Sequence, residues 1–131
     1  MNSLSQQQLT EFRVWLRAQK AALLEEIRRE LLQSDNEHYI DLATTVHDVG
    51  EESVADLLSD LDLAVIHRHV NEVRDIEDAL QRIAEGVYGM CLDCEGEVGY
   101  ERLSVYPTAK RCYDCQDHHE KGFAEEGHPR L

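Results

Sequence analysis

Residues 91–115 read CLDCEGEVGYERLSVYPTAKRCYDC and hold all four cysteines of the chain. They form two CxxC pairs, Cys91 with Cys94 and Cys112 with Cys115, with seventeen residues between the pairs. Zinc takes four ligands in a tetrahedron. One CxxC turn sets two thiolates on one side of the ion and the second closes the other. No signal peptide precedes this segment, so a reducing compartment is expected, where paired CxxC motifs read as metal ligands rather than disulfides. The pattern predicts one structural zinc ion on Cys91, Cys94, Cys112 and Cys115. Four thiolates leave no open position for catalysis. A rubredoxin-like iron site has the same ligand count, and His118 and His119 stand near enough in sequence to be alternative ligands. The loop 95–111 is long enough for a small β-hairpin, with Gly96, Gly99 and Pro107 at its turns.

Working back from the cysteines, Gly86 and Gly89 end a long helical stretch. Val54, Leu58, Leu61, Val65, Ile76, Leu80, Ile83 and Val87 recur with a period near 3.5, the seam of a coiled coil. They predict a helix over about 51–86, with a polar and looser seam around His69 and Glu72. Leu9, Phe12, Leu16, Leu23, Ile27 and Leu31 mark a second stripe, which Tyr39, Leu42 and Val46 resume after Ser34-Asp35-Asn36. One helix from 5 to about 45 is expected, bent near 35. The stretch HDVGEE, residues 47–52, joins the two.

The expected fold is therefore mainly α. It is a long antiparallel two-helix coiled-coil hairpin over 1–87 with its tip at about 46–53. A four-cysteine zinc finger with a short C-terminal helix follows over 88–122, and a flexible tail over 123–131. A compact three- or four-helix bundle, with the first helix broken at 35, is the alternative.

Thirteen Lys and Arg against 27 Asp and Glu give a net charge of −14. Such a surface repels nucleic-acid phosphates and argues against a DNA reader. It suits a basic partner or a basic channel. Between Glu30 and His67 there are ten acidic residues and no Lys or Arg. Asp48 and Glu51 could cap the second helix in a box-like pattern, which would also present their carboxylates rigidly. No apolar run approaches the roughly 20 residues of a membrane span, so a cytoplasmic address is expected. No nucleophile with a partnered base and no phosphate-cradling glycine loop is present, so an enzyme is not expected.

YGMCLDCEG, residues 88–96, and YERLSVYPTAKRCYDC, residues 100–115, resemble the zinc finger of the DksA/TraR family. Its pattern is YGxCxxCG followed by xxRLxxxPTAxxCxxC. Arg102, Leu103, Pro107, Thr108 and Ala109 match in place, and Glu95 stands where the family usually has glycine. Counted back without gaps, the family's DxxDxA tip motif falls on DVGEES. Asp48 takes the first Asp, Glu51 the second, and Ser53 the Ala. The resemblance covers about 48–116.

It implies a non-enzymatic regulator of transcription that binds bacterial RNA polymerase as a monomer. The coiled coil would enter the secondary channel, the acidic tip would reach toward the active site, and the zinc finger would brace the base. It implies no sequence-specific DNA binding. The basic positions that ppGpp-responsive members carry fall on Tyr106, Gln116 and Asp75, which argues against ppGpp coupling. The competing reading is a zinc-stapled coiled-coil adaptor or dimerisation module.

Overall fold

The computed structural model describes residues 4–48, 58 and 64–125. Their helices are α1 (Gln6–Leu32), α2 (Glu37–Asp48), α3 (Ala64–Glu85), α4 (Tyr100–Val105) and α5 (Tyr113–Glu125). α1 starts on a capping box. The Ser5 hydroxyl accepts from the Gln8 N–H at 3.1 Å, and the Ser5 N–H donates to Gln8 Oε1 at 2.9 Å, so two orphan donors of the first turn are satisfied.

The helix expected over 5–45 is divided. At the break, Ser34 Oγ accepts from the Asn36 N–H at 3.1 Å and Asn36 Oδ1 accepts from the His38 N–H at 2.9 Å. These side chains offer the backbone a local alternative to the helical ladder, and Asn36 caps the next helix. The apolar period runs through the break, which is why the spacing alone suggests continuity. In this respect the chain follows the alternative with a break near 35.

α1 and α3 run antiparallel. Lys20 Nζ meets Glu77 Oε2 at 3.1 Å, and His69 Nε2 lies 3.3 Å from Glu30 Oε1 and 3.6 Å from Glu26 Oε2. α1 also packs against α2. Ile27 and Leu31 of α1, Ala43 and Val46 of α2, and Ile66, Val70 and Val73 of α3 close one apolar cluster, which Leu58 joins. The hairpin of α1 and α3 is thus thickened by α2. The seam at His69 is polar, as expected. His69 is buried and faces two carboxylates, whereas Glu72 is exposed.

A second cluster holds the base of the hairpin to the finger. Phe12 and Leu16 of α1 and Ile76 and Ala79 of α3 pack with Tyr88, Val98, Leu103 and Ala109. α3 ends at Gly86, whose φ of +77° only glycine adopts freely. The Val87 N–H reaches back to the Arg82 carbonyl at 2.9 Å and the Gly86 N–H to Ile83 at 3.2 Å, the paired bonds of a Schellman stop.

Candidate metal centre

The two CxxC turns are brought together by backbone bonds. The Cys91 N–H donates to the Gly96 carbonyl at 2.8 Å, and the Val98 N–H to Gly89 at 2.8 Å. The bridge pairs Met90 with Glu97. The short hairpin therefore folds around the first CxxC, not over 95–111 as the spacing suggested. The loop between the pairs instead carries α4, whose Leu103 is fully buried. The Leu92 N–H then donates to the Lys110 carbonyl at 2.9 Å and joins the first knuckle to the second.

The result is a cluster in which the Sγ atoms of Cys91, Cys94, Cys112 and Cys115 all lie within 4.8 Å of one another. Cys94 and Cys112 sulfurs are 3.9 Å apart. Four thiolates about 2.3 Å from a central zinc ion stand about 3.8 Å from each other, so the set fits zinc. Each knuckle also points backbone N–H groups at sulfur. Gly96 donates to Cys94 Sγ at 3.4 Å and Cys115 to Cys112 Sγ at 3.5 Å, the latter in the first turn of α5, where negative charge is favoured. Burial alone would raise the Cys91 thiol, but N–H groups of Cys94, Cys112 and Asp93 outweigh it and bring it down to about 6. Cys115 is pushed up by sharing hydrogen bonds with Cys112, Cys91 and Cys94. His118 and His119 are exposed on α5 and stand outside the sulfur cluster.

Residues around the sulfurs hold the finger in place. Arg111 Nε meets Asp93 Oδ2 at 2.9 Å and ties one knuckle to the other. Lys110 Nζ lies 3.5 Å from Asp75 and 3.4 Å from Asp78 and ties the finger to α3. The Tyr88 hydroxyl donates to the Pro107 carbonyl at 2.7 Å, and its ring centroid is 5.5 Å from that of Phe12. Burial pushes the Tyr88 phenol far above its ordinary range, with Arg82 opposing. Spacing alone could not single out Tyr88 or Lys110, because their partners are 19 and 32 residues away.

The expected tip is only partly described. Asp48 is the last residue of α2. Glu51 and Ser53 lie outside the described residues, as does a helix that Asp48 and Glu51 would cap.

Residues 86–121 match the prokaryotic dksA/traR C4-type zinc finger. The RNA polymerase-binding transcription factor DksA of Buchnera aphidicola is 32% identical over 114 residues, covering 86% of this chain and 72% of the relative. This chain belongs to the DksA/TraR family. DksA of Caulobacter vibrioides is 29% identical over 120 residues, 90% of this chain and 80% of the relative. Among solved structures, DksA2 of Pseudomonas aeruginosa superposes with a TM-score of 0.62 at 22% identity, covering 95% of this chain and 89% of that one. That likeness is one of fold. The DksA/TraR assignment accounts for a finger that is structural: the four sulfurs form a closed set on which α5 and both knuckles converge.

Proposed function

We propose that this chain is a non-enzymatic transcription regulator that binds bacterial RNA polymerase. The observation that carries the reading is the sulfur cluster of Cys91, Cys94, Cys112 and Cys115 inside the family match, in a chain whose relatives named as RNA polymerase-binding factors cover nearly all of its length. In this reading the four cysteines hold one zinc ion, which fixes the finger against the base of the hairpin. The end of the molecule that carries Asp48 enters the secondary channel, where an acidic, cation-free stretch suits a basic passage. Asp48 is the last residue of α2. In this reading Asp48, with Glu51 and Ser53, faces the partner, and capping of a following helix by Asp48 and Glu51 is compatible with that role.

ppGpp has no part in this reading. Asp75, at the position where responsive members are basic, faces Lys110 of the same chain at 3.5 Å. A monomer suffices, because α1, α2 and α3 bury their apolar stripes on one another. The test is binding to core polymerase with a known secondary-channel protein as competitor. Mutual exclusion supports the reading, and simultaneous binding removes the channel from it. Asp48→Asn is expected to weaken the effect on transcription while zinc content and thermal unfolding stay unchanged. Full regulation by that variant would exclude the tip role.

A further inference from the structure

Beside the finger, α1 and α3 leave an open cleft of about 520 Å³. Gln19 and Leu23 reach it from one face of α1, and Glu72 and Ile76 from one face of α3, each pair four residues apart and so aligned along its helix. The finger supplies Tyr106 and Thr108. These two flank Pro107, whose carbonyl accepts from the Tyr88 hydroxyl at 2.7 Å, so the finger wall is pinned to the core.

The floor is apolar, with Ile76 buried and Leu23 half-buried. The walls are polar and uncommitted. The side chains of Glu72, Gln19 and Thr108 make no hydrogen bond or ion pair among the described residues. Asp75 also lines the cleft. Its carboxylate lies 3.5 Å from Lys110 Nζ, but that ammonium is shared with Asp78 at 3.4 Å. Arg102 stands over the Tyr106 ring at 5.4 Å while its Nε donates to the Arg111 carbonyl at 3.0 Å. Neither Lys110 nor Arg102 forms a wall. Three carboxylates against two cations leave the cleft net negative, with Glu72 unanswered.

We infer that this cleft receives an arginine side chain of the polymerase. Charge complementarity selects a cation, and the shape of the lining selects this one. The apolar stem would rest on Ile76 and Leu23. The planar guanidinium can give two parallel N–H bonds to the Glu72 carboxylate and still donate to Gln19 Oε1 and the Thr108 hydroxyl, which a lysine ammonium cannot match in geometry. A bare metal ion does not fit, since among the described residues only the four finger sulfurs converge as ligands. A phosphate group would be repelled. The inference rests on the polymerase reading above.

The experiment compares affinities for core polymerase of the wild-type chain, Glu72→Gln and Glu85→Gln. The last makes the same change in charge at an exposed position of α3 outside the cleft. Zinc content and thermal unfolding verify that each variant is folded. Glu72→Gln is expected to bind roughly tenfold more weakly with a shallower salt dependence, and Glu85→Gln to stay near wild type. Equal binding by Glu72→Gln and wild type overturns the cleft contact and leaves the polymerase reading standing. Equal weakening in both variants assigns the effect to bulk charge and also overturns it. Absence of wild-type binding overturns the polymerase reading, and this occupant with it.

Discussion

Glu95 has φ of +61°, in the left-handed region, immediately after the second zinc cysteine. A residue with a Cβ pays roughly 1–2 kcal/mol for that conformation, and glycine pays nothing sterically. The family's usual glycine at this position therefore has a backbone reason, and this chain carries the strained residue. Glu95→Gly is expected to raise the stability of the zinc-bound protein by about 1 kcal/mol, after the greater chain entropy of glycine offsets part of the relief. Chemical unfolding with zinc present measures it, and a lower midpoint would refute the strain. At this scale the sequence is legible where chemistry is local. The CxxC spacing named the four sulfurs because a turn of four residues needs nothing from the rest of the fold. His69 was legible as a polar seam position, but Lys20 was not legible as buried. Lys20 continues an apolar stripe in register, but its burial depends on a carboxylate on the opposite helix.

Among the elements, the finger and the base of the hairpin are not separable in packing. Tyr88, Val98, Leu103 and Ala109 share one apolar cluster with Phe12, Leu16, Ile76 and Ala79. Zinc binding is folding energy for a unit as small as the finger. Chelation is therefore expected to erase the near-ultraviolet signal of Tyr88 and the aromatic contacts around Phe12 while part of the far-ultraviolet helical signal remains. A spectrum unchanged by chelator would mean the metal is not structural. The pH dependence follows from the sulfurs. Zinc needs thiolates, and sharing among the sulfurs holds the Cys115 proton on in the metal-free cluster. Binding thus releases protons, and affinity must fall as pH falls. Zinc titrations at neutral and mildly acidic pH read this directly, and a pH-independent affinity would contradict it. The helix boundaries show what periodicity can and cannot tell. The stop of α3 was legible from Gly86, whose role is fixed by backbone geometry, whereas the start of α1 was read from its apolar stripe and the Ser5 capping box came only with the structure. The break at Gln33–Asn36 was legible only as a bend, or as a break in the alternative reading, because the stripe Leu31, Tyr39, Leu42, Val46 keeps its period while Ser34 and Asn36 bond to the backbone.

Across the whole molecule, charge is sorted along the hairpin. The cation-free stretch from Glu30 to His67 includes the end of α2, and Arg13 and Arg17 lie on α1 toward the finger end. Between them, Lys20 with Glu77 and His69 facing Glu26 and Glu30 are polar layers at the seam. A helix pair slid by one turn would leave Lys20 buried without its partner, which costs several kcal/mol for a broken buried pair, so the pair favours the observed antiparallel register. A molecule so polarised should find its partner by electrostatic steering. The association rate with core polymerase is expected to fall as salt is raised from low ionic strength to about 0.15 M, where screening acts within about 8 Å. The dissociation rate should change much less, because long-range charge acts mainly on the encounter. Stopped-flow measurements at two ionic strengths separate the two rates. A loss of affinity carried by faster dissociation alone would mean that the charges act only in the bound complex, and would remove steering as the reason for their segregation.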